Sequence, residues 1–199
     1  MSNTVSAGWL AELMGNSFVL LYLTTTTITT LAAMLIQKDP RNNSAWNERW
    51  FAVHKCLKQP PLSLDKCRAE ADYAIFQGAA LDPYNESPFR YLIGLLQEQQ
   101  QQAQSDTSST ATPPKVLAAE FYSKVQSLEK VLVDANRDPE ACTNWTSARI
   151  DLLESMGDTA SLTQAIALAQ GLANQYDTIR KKYWELRIRQ FQQQLTAAS

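Results

Sequence analysis

Asp39-Pro40-Arg41-Asn42-Asn43-Ser44-Ala45-Trp46 reads as a tight turn running into a capped helix. Two later stretches repeat its wording: Asp82-Pro83-Tyr84-Asn85-Glu86-Ser87-Pro88-Phe89, and Asp138-Pro139 followed by Trp145. In each copy an aromatic stands seven residues after the Asp. A pattern recurring at this scale implies stacked helical hairpins, because one hairpin alone cannot bury its apolar face. The expected fold is therefore all-α, an alpha-alpha superhelix (a solenoid) of helical hairpin repeats.

Helical periodicity extends outward from each copy. After the first, Ser44 can cap a helix whose stripe is Trp46, Arg49, Trp50, Val53 and Leu57. Lys58-Gln59-Pro60-Pro61 would end it, since proline cannot continue a helix. A second helix is expected from Leu64 to about Ala80, with Cys67, Ala71, Ala74 and Ala79 forming a small-residue face. In the second copy Ser87 is the expected N-cap and Pro88 the first helical residue, with Phe89, Leu92, Ile93 and Leu96 as the stripe. Residues 97–114 read QEQQQQAQSDTSSTATPP, without apolar periodicity, and are expected to be a flexible insertion. A long helix from Val116 to about Asn136 should bury Leu117, Phe121, Val125, Leu128 and Leu132. Trp145, Arg149, Leu152, Leu153 and Met156 follow the third copy, and Gly157 stops that helix. Ser161-x-x-Gln164 reads as a capping box for a helix to about Tyr176. Asp177 or Thr178 would cap the last helix, with the stripe Trp184, Ile188, Phe191 and Leu195. The organisation is thus residues 1–28 outside the pattern, repeats over 29–196 with motifs at 39–51, 82–96 and 138–153, and a tail at 197–199.

Composition narrows the function classes. The 199 residues suit one domain or one stretch of solenoid, and 45% hydrophobic content supports a core. A net charge of −2 provides no field for nucleic acid or acidic lipid. The run Arg180-Lys181-Lys182 is interrupted by Tyr183-Trp184 and Glu185 and reads as a solvated helix face. Cys56, Cys67 and Cys142 are far apart and odd in number, as expected of small buried side chains in a reducing cytosol. With His54 as the sole histidine, neither a zinc site nor a nucleophilic triad is expected in this chain, and no catalytic residue is assigned. Asn42, Asn85 and Asn144 open Asn-x-Ser/Thr sequons that are more simply capping residues. Ser17 to Ile36 has the length of a membrane span, but its six threonines and the lack of a preceding Lys or Arg argue against one.

The Asp-Pro elements are expected at the turns between paired helices, where capping explains the second and third copies. The first carries more, because Arg49 lies one turn beyond Trp46 and its guanidinium can bridge neighbouring turns. Such side chains would line one edge of a superhelix, where partners bind. Arg41, Asn42, Asn43, Trp46, Arg49 and Asn85 are the partner-interface candidates.

Asn42-Asn43-Ser44-Ala45-Trp46-Asn47-Glu48-Arg49-Trp50-Phe51 resembles the prenyltransferase alpha-subunit repeat, Asn-x-x-x-Trp with an Arg three residues on. The stretch Asn85 to Leu96 is similar to the following repeat, with Pro-Phe in place of Ala-Trp. Asp177-Thr178-Ile179-Arg180-Lys181-Lys182-Tyr183-Trp184 is similar to the C-terminal signature of the alpha subunit shared by protein farnesyltransferase and geranylgeranyltransferase type I. The resemblance covers about Leu31 to Leu195. It implies a cytoplasmic heterodimer, with an alpha crescent wrapped around a beta subunit that holds a catalytic zinc, and possible use of magnesium. The pair would move a farnesyl or geranylgeranyl group onto a cysteine in a C-terminal Cys-a-a-X box.

The departures from the family pattern carry equal meaning. In the family, a Lys and Tyr/His residues just before the repeat tryptophan, in earlier repeats, touch diphosphate and peptide. Here Arg41 stands in the Lys place, and Asn43 and Ser44 in the Tyr/His places. The expectation is an N-terminally truncated alpha subunit, with residues 1–28 foreign to the family, inactive on its own. The competing expectations are a non-enzymatic alpha-solenoid adaptor for protein partners and, on Ser17 to Ile36 alone, a membrane-anchored helical protein.

Overall fold

The computed structural model describes residues 26–54, 62–105 and 114–197. These residues are helices and turns, with no strand among them. The chain divides into two compact units, Met1–Leu62 and Ser63–Ser199. That division falls inside the span assigned above to one run of repeats.

In the first unit, helix α1 is described over residues 26–38 and α2 spans Asn43–His54. Ala32 and Ile36 of α1 are buried, as the reading of Leu31 to Ile36 as a repeat helix requires. Leu31, Met34 and Leu35 form a second, exposed apolar stripe on the same helix. In α2 the buried residues are Ala45, Trp46, Arg49 and Ala52. Its last turn is closed by His54, whose ring stacks on Trp50 at 3.7 Å and whose Nδ1 donates to the Trp50 carbonyl at 2.9 Å. Since a carbonyl only accepts, that bond fixes the proton on Nδ1. Residues 17–25 of the candidate membrane span lie outside the described residues. Among those described, no helix is long and apolar enough to cross a membrane.

The second unit contains α3 (Leu64–Ala74, widened into a π-turn over Ile75–Ala79), α4 (Glu86–Ser105), α5 (Pro114–Ser127) and α6 (Glu129–Asp134). It continues with α7 (Thr143–Met156), α8 (Thr159–Gly171, with a π-turn over Leu172–Tyr176) and α9 (Lys181–Ala197), preceded by a 3-10 turn at Thr178–Arg180. The main packing follows chain order: α3 on α4, α4 on α5 and α7, α5 on α7, α7 on α8, and α8 on α9. Neighbour-on-neighbour packing is the mark of a helical-repeat solenoid. The α7–α8–α9 core shows how the sequence permits it. Ala165, Ala169 and Ala173 leave room on α8 for Trp184 and Phe191 of α9, both fully buried. The expected stripe Trp184, Ile188, Phe191 and Leu195 does face this core.

The structure departs from the expected elements in two places, each with a physical cause. Helix α4 does not end at Leu96 but continues through the glutamine run to Ser105. Gln and Glu are good helix formers that need no core, and Gln99 donates to Gln102 one turn on. Residues 106–113 of the expected insertion lie outside the described residues. The expected helix from Val116 to Asn136 is broken at Leu128. There the Val125 carbonyl accepts the Trp145 indole N–H at 2.7 Å from the facing helix, and Ser127 Oγ bonds back to the Lys124 carbonyl. Both compete with the regular ladder.

Candidate functional site: the helix-opening turns

All three Asp-Pro copies fold into the same device. The Asp carboxylate accepts from the backbone N–H two residues on: Asp39 from Arg41 at 2.9 Å, Asp82 from Tyr84 at 3.1 Å, Asp138 from Glu140 at 3.1 Å. The Asp carbonyl accepts from the residue three on: Asn42 at 3.0 Å, Asn85 at 3.0 Å, Ala141 at 3.2 Å. Proline at the second position presets φ for this turn, so Asp and Pro together specify it.

The turn decides which residue caps the next helix. In the first copy Asn42 Oδ1 accepts from Ala45 N at 3.1 Å, and in the second Asn85 Oδ1 accepts from Ser87 N at 3.1 Å. The caps are therefore the asparagines, not Ser44 and Ser87, and Pro88 lies within the first turn instead of opening it. The third copy has Cys142 at the cap, without a side-chain cap bond. Its thiol donates instead to the Pro83 carbonyl at 3.1 Å, while Asn144 Nδ2 donates to the Tyr84 carbonyl at 2.7 Å. The start of α7 is thus stitched to the preceding Asp turn. Burial pushes the Cys142 thiol up and Cys67 up to about 12, so both remain protonated in neutral solution. Likewise Asp158, not Ser161, caps α8: its carboxylate accepts from Ser161 N at 2.9 Å and from the Ser161 hydroxyl at 2.5 Å. Gly157, at φ 66°, ends α7 as expected.

A fourth copy went unread in the sequence. Asp177 lacks the proline, but Trp184 stands seven residues after it. The Asp177 carbonyl accepts from Arg180 N at 3.1 Å, matching the other turns. Its carboxylate accepts from Arg180 Nε at 2.6 Å and from the Trp184 indole at 2.8 Å. The signal that could have found it was the Asp-to-aromatic spacing with the proline left out of the pattern. The four aromatics Trp46, Phe89, Trp145 and Trp184 are all buried, and each indole N–H has its own acceptor. That of Trp46 donates to the Pro40 carbonyl at 2.9 Å, tying the helix to its own turn.

An arginine ten residues after the Asp is shared by the first and fourth copies, as Arg49 and Arg187. Arg187 bridges helices: it donates to Asp151 at 3.0 Å and Glu154 at 2.7 Å on α7, and to the Tyr183 hydroxyl at 2.8 Å. Burial raises the Asp151 carboxyl above its ordinary value, although Arg187 and Arg90 oppose the shift. Asp151 also borders a shallow cleft between α4, α7 and the 3-10 turn, with Glu86, Arg90, Ser147 and Arg180. Arg149 occupies the neighbouring register, 4.3 Å above the Trp145 ring, and donates to the Tyr122 hydroxyl at 3.3 Å.

Of the six interface candidates, Arg41 and Asn43 are exposed and Asn42 is half-buried. Trp46, Arg49 and Asn85 are buried. The first five run from the Asp39 turn into α2 of the first unit, whereas Asn85 belongs to the second unit. Among the described residues, no group of three His, Cys, Asp or Glu side chains could hold a metal ion.

The chain is similar to the protein farnesyltransferase/geranylgeranyltransferase type-1 subunit alpha of Dictyostelium discoideum, 28% identical over 161 residues, covering 81% of this chain and 43% of that protein. It is similar to the same subunit of Arabidopsis thaliana, 28% identical over 159 residues, covering 77% and 45%. For the Pisum sativum subunit the figures are 26% over 156 residues, 75% and 44%. The chain thus spans somewhat less than half the length of these relatives. No family model matches it.

Proposed function

We propose that this chain is the alpha-type scaffold of a heterodimeric CaaX protein prenyltransferase, working with a beta subunit in the cytoplasm. What carries the reading is the similarity to three alpha subunits over about three quarters or more of the chain. In the proposed reaction the substrate cysteine sulfur bonds to the isoprenoid carbon that bears the diphosphate. The carbon–oxygen bond breaks, diphosphate leaves with the electron pair, and the thiol proton passes to solvent. A zinc ion on the beta subunit would hold that sulfur as a thiolate. This chain's residues would bind and orient the partner subunit. Arg41 and Asn43 would meet it directly, while Asn42, Trp46, Arg49 and Asn85 hold the turns in shape.

Co-expression with the beta subunit from the same source tests the reading, followed by co-purification and prenyl transfer to a Cys-a-a-X peptide. The expected result is a stable pair. Transfer by that pair would show that Arg41, in the place of the family Lys, suffices or is not needed. A stable but inactive pair would keep the scaffold role and remove the catalytic one. No pairing would overturn the proposal in favour of the adaptor reading.

A further inference from the structure

A cavity of about 130 Å³ opens between α7 and α8, beside the third Asp turn. Thr146 and Leu172, both buried, lie deepest in its lining, with Leu168 half-buried beside them. Its walls are mainly apolar. A dry cavity of about 150 Å³ holds one benzene, so this one has room for a chain of about four carbons.

Two features of α8 keep the cavity open. Gly171, in its wall, sits in ordinary helical geometry at φ −58°, so the backbone does not demand glycine there. A Cβ at this position would meet no neighbouring atom within 4 Å, so packing does not demand it either. Glycine weakens a helix relative to alanine, and what this one provides is space. Directly after it the helix widens into the π-turn over Leu172–Tyr176, which brings Leu172 and Tyr176 into the same wall. Single π-turns inside helices recur at functional sites.

The mouth is negative. Glu140 lines it, exposed, and the Tyr176 hydroxyl donates to the Asp138 carboxylate at 2.9 Å. That bond pushes the Tyr176 hydroxyl up, and the charges of Asp138 and Glu140 add to the shift, so both carboxylates bear on this corner. No Lys, Arg or His lines the cavity. Among the described residues neither Asp138 nor Glu140 takes part in an ion pair, even with adjacent Arg137. An apolar pocket with uncompensated negative charge at its opening selects a ligand with an aliphatic body and a cationic end.

We propose that this cavity binds a primary ammonium on an unbranched chain of about four carbons, the chain against Leu168, Gly171 and Leu172 and the ammonium at Glu140 and Asp138. An ammonium has three donors and no acceptor, which suits two carboxylates and a phenolic oxygen. A lysine side chain of another protein and a free alkylamine share this chemistry.

The test uses the full chain and n-butylammonium chloride, read by saturation transfer to the ligand from dilute protein. The comparison is 1-butanol, which keeps the chain and lacks the charge. The expected result is saturable butylammonium binding in the millimolar range, with 1-butanol about tenfold weaker. Glu140→Gln should weaken butylammonium about fivefold and leave 1-butanol unchanged. Asp138 stays untouched, because its carboxylate shapes the turn. Gly171→Leu should abolish binding of both ligands while melting no lower than wild type, since leucine is the better helix former and meets open space. N-acetyl-lysine N-methylamide separates the two sources. If it binds as butylammonium does, the cavity takes a lysine of another protein; if it is excluded while butylammonium binds, the ligand is a free amine, and either result keeps the proposal. Equal binding of butylammonium and 1-butanol would overturn it, because charge would then play no part. Undiminished binding to Gly171→Leu, or no saturable binding to wild type, would overturn it as well.

Discussion

Asn85 shows what one side chain does in these turns. It is 6% exposed and accepts from Ser87 N, satisfying a donor that the helix itself cannot. Replacing it with alanine should cost about 1 kcal/mol, within a range of about 0.5–2, through the lost cap. Asn85→Asp should hold most of that stability. Urea denaturation would check both; an Asn85→Ala chain as stable as wild type would mean that the turn holds α4 without a cap. The sequence pointed to a cap here but to the wrong residue. Serine is as good a cap as asparagine, so propensity alone could not choose between Asn85 and Ser87. The Asp turn chooses: its third-residue hydrogen bond places Asn85, and in the first copy Asn42, where the helix begins. Counting three residues from each Asp would have found both. Asp177, expected only as a cap and as part of the C-terminal signature, belongs to the same series for a related reason. Asp-Pro marks only three copies, whereas the part common to all four is an Asp followed seven residues later by a buried aromatic.

At the scale of elements, Arg187 is the clearest tie between helices. Its side chain is 12% exposed, and Asp151, one of its partners on α7, is 15% exposed. Removing one member of such a buried pair leaves the other charge stranded. Arg187→Met should therefore cost about 3 kcal/mol or more, whereas adding Asp151→Leu should recover most of the loss. A double-mutant cycle measured by chemical denaturation decides it; additive losses would show that the two residues do not act as a pair. The helices themselves were largely legible, because stripes such as Leu117-Phe121-Val125 and Trp184-Ile188-Phe191 repeat at helical spacing. What escaped was set by tertiary contacts or by neutral composition. The break at Leu128 follows from the Trp145 indole claiming the Val125 carbonyl, a bond between residues twenty apart that no local pattern announces. The glutamines after Leu96 lack a stripe, yet they extend a helix already nucleated by Phe89 to Leu96, since adding a residue to a helix is far easier than starting one.

For the molecule as a whole, the decisive feature is how much apolar surface the chain leaves uncovered. In the first unit α1 buries Ala32 and Ile36 but exposes Leu31 at 55%, Met34 at 63% and Leu35 at 39%. In the second unit the 3-10 turn adds Ile179, and α9 adds Tyr183 and Leu186. Scattered exposed leucines are ordinary, but two clusters of large exposed apolar side chains are not. A net charge of −2 gives little repulsion to keep copies apart. The chain expressed without a partner should therefore self-associate. Sedimentation velocity over a concentration series would show its average size rising. Leu31→Lys with Met34→Lys should reduce that rise, and Ile179→Asp should reduce it further, since the two clusters lie on separate units. If the free wild-type chain stays a monodisperse monomer throughout, the clusters are not adhesive and the argument for a covering partner weakens with them. If only the Ile179 variant has an effect, association runs through the apolar surface of the second unit alone.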